Sequence, residues 1–387
     1  MDRRTFVKAG CIGSASLLIP GLDPLARADS LPPLPPIELH SLPDYAPSPL
    51  GMPGLFRGRV IEIREPKAIV GNRVTQSIVR RQLERAMTEL TGEKSVQDAW
   101  AKFIDPKDIV GIKINPSGAP ACCSSPEIIR EIIDAVRSIG VPLRNIVVYD
   151  RYSYEMDIGG YQALLPTGVR IVGIQDAFAS GVVGYEPNVY CDANFFGEWE
   201  TRSYMARIVA HEVTKIINVP TMKDHSASGV TGALKNLAYG TFNNVARTHQ
   251  APHSFTNPLI GLLCTVEPLR SKAVLHIMDG MRQVWHGGPL TQVQDFIEQP
   301  GILLVATDPV ALDTVELEAI EKKRREHGAP SVWEHDSSSI TPDSNVFFHD
   351  AAKNLFFRQP GHIAAAGKLG LGVSDLKQID HRLISAW

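Results

Sequence analysis

Between Asp108 and Asp150 the chain reads DIVGIKINPSGAPACCSSPEIIREIIDAVRSIGVPLRNIVVYD. Asp108–Asn115 has the apolar pattern of a strand, a loop runs through Pro120, and the isoleucines of Pro126–Ile139 recur at helical spacing. Gly140 stops that helix, and Asn145–Asp150 is a second strand. Ser125 stands at the N-cap position, its side chain available as a cap, and Pro126 is preset for the first turn. Strand, helix, strand in this order implies a parallel sheet covered by helices.

The alternation continues on both sides. Upstream, Gly58–Arg64 reads as a strand and Val74–Leu90 and Lys94–Ile104 as helices. Downstream, strands are expected at Val169–Ile174, Lys215–Val219, Ala273–Met278 and Ile302–Ala306, and helices at Pro258–Leu269, Pro309–His327 and His362–Lys368. Tyr185–Ser203 is polar and aromatic without a period and reads as a long surface excursion; Trp333–Asp343 reads as a loop. The fold class is therefore α/β, with parallel or mixed sheets and helices on both faces. One α/β domain is expected over 55–387, either undivided or as two subdomains around a cleft, split near 185–210. Residues 29–54, crowded with proline from Pro32 to Pro53, form neither helix nor interior strand and are expected to lie as an extended leader across the body.

The chain opens with Arg3-Arg4 in D-R-R-T-F-V-K, followed by the mildly apolar Ala9–Leu22 and the small-x-small triplet Ala26-Arg27-Ala28. Basic, apolar and cleavage regions in this order predict a twin-arginine signal peptide over 1–28. The expected partner during export is the twin-arginine translocase, and the expected location is the periplasm or another exported compartment. With the signal removed, roughly 360 residues remain, the size of one large or two ordinary α/β domains. A formal charge of −3 argues against a nucleic-acid surface, and no apolar run approaches the ~20 residues of a membrane helix, so no transmembrane span is expected in the mature chain. Cys11 leaves with the signal, so Cys122, Cys123, Cys191 and Cys264 remain. They make no disulfide framework and lack the close spacing that holds an iron–sulfur cluster, so none is expected and the cofactor stays open. The vicinal Cys122-Cys123 forms a strained bridge, holds a soft metal, or packs as small apolar residues.

Chemistry is expected beyond the strand ends, where open α/β sheets place ligands. Lys113 and Asn115 alternate onto one face of the first strand, either pointing into a crevice or ending the strand in solvent. After the strand Lys215–Val219 comes P-T-M-K-D-H and then S-A-S-G-V-T-G-A-L-K-N-L-A-Y-G, Ser226–Gly240. Its small residues and hydroxyls either bring an anionic ligand to free N–H groups at a helix start or form a structural turn. Lys235 lies one turn beyond Thr231 on the same face. The ligand-binding candidates are Lys113, Asn115, Lys223, Thr231, Asn236 and Asp279; the last closes the strand Ala273–Met278 ahead of a Gly-rich loop holding His286. The catalytic candidates are His225, Lys235 and His249, with lysines neutralising an anion and a histidine moving a proton. His249 and His253, four apart but separated by Pro252, either bind a metal or supply a general base. Asp308, before Pro309, suits a helix cap.

The pieces V-G-I-K-I-N, S-S-P-E-I-I-R-E-I-I-D-A-V, I-I-N-V-P-T-M-K-D-H, S-G-V-T-G-A-L-K-N-L-A-Y-G, I-M-D-G and T-D-P-V-A-L-D run in order across about Asp108–Glu316. In these the chain resembles the bacterial and archaeal family called domain of unknown function 362. Members often carry a ferredoxin-like cysteine module, which this sequence lacks. The central piece is also similar to the lactate racemase family, which sets a histidine and an S-G-G-x-K turn at a two-domain cleft. His225, Gly229, Gly232 and Lys235 are the corresponding positions, at a different spacing, and the similarity implies a fold and a cleft rather than a reaction. Together these features lead us to expect an exported enzyme of unknown reaction, binding an anionic small molecule or cofactor for proton-transfer or redox chemistry. The alternative is a non-catalytic periplasmic ligand- or metal-binding protein.

Overall fold

The computed structural model describes residues 34–175, 184–250, 256–329, 331–333 and 360–385. Residues 1–28, read above as a signal peptide, His253 and most of Trp333–Asp343 lie outside them. In the first half, β1 (Ile37–His40), β2 (Arg59–Arg64), α1 (Gln76–Thr91), β3 (Val110–Lys113), α2 (Pro126–Ser138), β4 (Ile146–Asp150), α3 (Ser153–Ile158) and β5 (Arg170–Gly173) follow one another. The second half holds β6 (Tyr185–Ala193), β7 (Arg202–Ala206), β8 (Lys215–Asn218), β9 (Thr221–His225), α4 (Gly232–Thr241), α5 (Leu259–Thr265), β10 (Ala273–Val284), β11 (Ile302–Ala306), α6 (Pro309–Glu326), α7 (Gly361–Lys368) and β12 (Asp380–Ser385).

An 11-stranded sheet carries the fold, with the main order β12-β2-β11-β10-β8-β3-β4-β5. The run from β10 to β5 is parallel, as is β12 with β2, while β11 is antiparallel to both neighbours. All four residues of β3 and all five of β4 are buried, as expected of parallel strands covered on both faces. Alternate side chains go to opposite cores. Ile112, Ile146, Val148 and Ile217 pack with α1 and α2 (Val79, Leu83, Ile128, Ile132), whereas Val147, Tyr149 and Ile216 pack with α4, α5 and α7 (Leu234, Leu237, Ile260, Ile363). From β3 the chain winds outward through β4 and β5 and then returns to place β8 on the other side of β3. The boundary between β3 and β8 is thus a switch point, where strand ends diverge and leave a crevice.

Three expectations change. The excursion Tyr185–Ser203 is largely β6 and the start of β7, which join β1 in a separate three-stranded antiparallel sheet. Val189, Cys191 and Ala193 point inward at every second position, an alternation hidden by the polar and aromatic residues between them. Helix Pro258–Leu269 is two pieces, Leu259–Thr265 and Leu269–Lys272, because Val266 is extended and Pro268 has no N–H to continue the ladder. β10 runs on to Val284, so Met281–Val284 belongs to the strand and the loop begins at Trp285; pairing with β9 sustains the extension. The leader, where described, is tied to the body by β1 on β6 and by Leu42 N–H to Glu267 O and Met52 N–H to Arg270 O.

Candidate active site

A cavity of about 160 Å³ opens at the switch point. β3 delivers Lys113 and then Asn115 and Ser117; β4 delivers Asp150 and Arg151; α3 contributes Glu155. β9 sends in Lys223, α4 presents Lys235, Asn236, Tyr239 and Gly240, and the turn Ala246–Gln250 carries His249. Register makes this convergence possible, because Tyr149, Lys113, Asn218 and His276 stand side by side on four adjacent parallel strands.

Two of the lysines are fixed. The Lys113 ammonium lies 2.7 Å from Asp150 Oδ1 and donates to Ile114 O at 2.5 Å and Asn236 Oδ1 at 3.0 Å. Burial pulls its pKa below the usual lysine range, against the opposing pull of Asp150. Lys223 Nζ donates to Asn115 Oδ1 at 3.0 Å, Ser117 O at 2.7 Å and Cys122 O at 3.3 Å. An ammonium has three N–H donors, so each lysine has an acceptor for every one of them. Gly240 makes the Lys113 site possible: a Cβ there would fall 1.8 Å from Lys113 Cε and 2.9 Å from Asp150 Oδ1.

Behind Lys113 a directed chain crosses the sheet. Asn236 Nδ2 donates to Asn218 Oδ1 at 2.8 Å, and Asn218 Nδ2 donates to Ala233 O at 3.1 Å and to His276 Nδ1 at 3.2 Å. Amide nitrogen only donates, so His276 Nδ1 accepts and the ring proton sits on Nε2. Burial holds His276 neutral, its pKa lowered to about 3.

Lys235 is the third lysine, partly buried with its Nζ 5.2 Å from the centre of the Tyr239 ring. Burial lowers its pKa to about 7, with Lys223 and then Lys113 adding to the effect. Three histidines feel its charge in turn. His225 is held well below the ordinary range and His362 at about 3, in each case by burial first and Lys235 next; partly buried His249 is lowered by the same causes. His225 Nδ1 accepts from Ala227 N and Ser228 N, which places its proton on Nε2. His249 Nδ1 lies 3.1 Å from Ala246 O, which only accepts, so the neutral ring keeps its lone pair at Nε2. The two rings stack at 6.0 Å, and Tyr239 meets His249 edge-on at 5.1 Å.

Lys113, Asn115, Lys223, Thr231, Lys235, Asn236 and His249 all line the cavity. His225 stands behind His249, not in the wall. Asp279 is elsewhere: its carboxylate accepts from Ser125 N at 2.6 Å and Met281 N at 2.8 Å, and so holds the start of α2. Ser125 makes no side-chain cap bond of its own. The start of α4, read above either as an anionic-ligand site or as a structural turn, has its first N–H groups already taken. Asp313 on α6 accepts from Ala233 N and Leu234 N, and a Cβ on Gly232 would collide with that carboxyl. Asp308 caps α6 through Ala311 N and also accepts from Gly58 N and Val373 N. The four described cysteines are buried free thiols, so Cys122-Cys123 is not a bridge. Among the described residues no group of three or more His, Cys, Asp or Glu side chains is arranged to hold a metal. Asp150, Arg151, Glu155 and Tyr239 are cavity residues that sequence reasoning missed. Asp150 and Arg151 carried the same strand-end signal that identified Lys113.

No helix among the described residues is long and apolar enough to cross a membrane. No curated protein matches the chain. The family described as Domain of unknown function (DUF362) matches residues 110–318, from β3 into α6, more than half of the chain and every cavity residue named above. The chain is a member of that family.

Proposed function

We propose that the protein is an exported enzyme that binds a small anionic molecule at the switch point and reacts it beside Lys235. The observation that carries this reading is the gathering of Lys113, Arg151, Lys223 and Lys235 around one cavity, against the carboxylates Asp150 and Glu155 alone. Fixed ammonium groups at Lys113 and Lys223 supply preorganised charge for an anion. Thr231 Oγ1 and Arg151 Nε, both buried, have no hydrogen-bond partner among the described residues, and a bound anion would accept from them. Lys235, with a pKa near 7, is poised to take and return a proton at neutral pH, with the His249 Nε2 lone pair as a second acceptor.

The test is calorimetric titration with acetate, pyruvate and inorganic phosphate. At least one anion should bind with salt-sensitive affinity, and Arg151→Ala and Lys223→Met should each weaken it 10-fold or more in folded protein. Binding unchanged by both substitutions removes the reading. Export is tested separately: Arg3→Lys with Arg4→Lys should keep the chain in the cytoplasm, and the exported form should begin at Asp29.

A further inference from the structure

We infer that the ligand of this cavity carries two negative charges, as a tetrahedral oxyanion or a small dicarboxylate does. The inference rests on the anion-binding reading above and narrows it to a charge class. It starts from an imbalance in the wall. Lys113, Arg151, Lys223 and Lys235 stand against Asp150 and Glu155, four cationic side chains against two carboxylates, a formal surplus of +2. Asp150 is committed to Lys113, 2.7 Å away. Neither Arg151 nor Lys223 has a carboxylate within ion-pair distance among the described residues. Lys223 is fully buried, and its three acceptors, the Asn115 amide oxygen and the Ser117 and Cys122 carbonyls, are all neutral. An ammonium taken out of water without a counter-charge is costly, and neutral dipoles offset only part of that cost. Glu155, on the same wall, accepts from Ser117 Oγ at 2.9 Å and Tyr154 Oη at 3.4 Å and pairs with neither cation.

The hydrogen-bond donors point to the same kind of ligand. Lys223 gives all three of its N–H groups to protein acceptors, so it acts on a ligand as fixed charge rather than as a donor. Direct contacts fall to others. Thr231, 3% exposed, and Arg151 both line the cavity, and Thr231 Oγ1 and Arg151 Nε are buried without a partner among the described residues. Oxygens of an anion satisfy both donors. A monoanion leaves a unit of positive charge in a site where charge is poorly screened, whereas a dianion closes the balance. Burial and then Lys223 lower the Lys235 pKa to about 7, and negative charge beside it opposes the second of these causes.

The test compares ions of similar shape and unequal charge: sulfate against methanesulfonate and malonate against acetate, titrated calorimetrically into the full chain at pH 7 and constant ionic strength. Sulfate, malonate or both should bind about 10-fold or more tighter than the matched monoanion. The pair with the larger ratio tells a tetrahedral group from a dicarboxylate. Because Coulomb energy scales with ligand charge, removing one cation costs a dianion twice what it costs a monoanion. Arg151→Gln and Lys223→Met should therefore each lower the ratio as well as the affinities, in proteins whose circular dichroism matches wild type. Where Lys223→Met does not fold, Arg151→Gln decides. Ratios near one in wild type, or unchanged in a folded variant, overturn the double charge, and monoanion binding then leaves the anion site standing. No binding by any of the four ions sinks both readings together.

Discussion

Gly240 is the residue whose replacement tests the site most directly. Alanine within a helix normally gains about 0.5–1 kcal/mol over glycine. At Gly240 the added methyl would sit 1.8 Å from Lys113 Cε and 2.2 Å from its Nζ, so the sign should reverse. Gly240→Ala is expected to cost roughly 1–3 kcal/mol, the usual range for overpacking, and to abolish the proposed anion binding by displacing Lys113 from Asp150. Denaturant melts and titration check both; a variant as stable as wild type would mean that the lysine has room elsewhere. Lys235 gives a second prediction. Its pKa falls from 10.5 to about 7 on folding, so the unfolded chain binds more protons between those values and stability rises with pH across that window. Lys235→Met should reduce that rise, seen in melts from pH 7 to 10, and leave the part due to buried Lys272, which is lowered to about 8. At this scale the sequence showed Lys113, Asn115, Lys223 and Lys235 because lysines and amides at strand ends and on a Gly-rich helix have few other uses. It misplaced Asp279 because a carboxylate after a strand has two: facing a ligand, or holding the N–H groups of the next helix, as Asp279 does for Ser125.

α4 is the element on which the site depends, and its first turn is built by a residue far away in sequence. Ala233 N and Leu234 N donate to Asp313, which reaches them only because Gly232 has no side chain. A helix start satisfied by a carboxylate from another helix cannot be read locally, so the stretch Ser226–Gly240 looked like an anion site. The same limit applied to β6, whose alternation becomes evident only once β1 lies beside it. The βαβ unit of β3, α2 and β4 was legible because its strand, turn and helix signals lie within forty or so residues of one another. Asp313→Ala leaves two buried N–H groups without their acceptor, at about 1–3 kcal/mol each. The expected outcome is a lower melting temperature and weaker anion binding, since Lys235 and Asn236 move with the first turn. Asp313→Asn keeps the shape and one acceptor and should fall between wild type and alanine. Equal melting temperatures for all three would show that α4 is held by its apolar face alone.

At the scale of the molecule, the sheet order and its switch point decide where chemistry gathers, and buried ionisable groups decide where the fold survives. His276 and His362 are both buried and both lowered to about 3 by that burial. His276 has a further reason to stay neutral, since a proton on Nδ1 would face the Asn218 amide hydrogens. Unfolded, each would titrate near 6.5. The unfolded chain therefore binds more protons between about 3 and 6.5, and stability falls as pH drops through that window. Asp308 works in the opposite direction. Burial raises it from 3.8 to about 6, so between those values the folded chain binds more protons and stability from this group grows as pH falls. His225 and His249 act in the same direction as these two histidines, and the buried carboxyls of Asp313 and Glu316 in the same direction as Asp308, so the contribution of one histidine is read from its own variant. His362 is the better place to test it, because it is buried on α7 and neither ring nitrogen has a hydrogen-bond partner among the described residues. His362→Leu should raise the melting temperature at pH 5 by more than at pH 7.5, flattening the acid side of the stability curve. Identical gains at the two pH values would show that His362 does not titrate on unfolding.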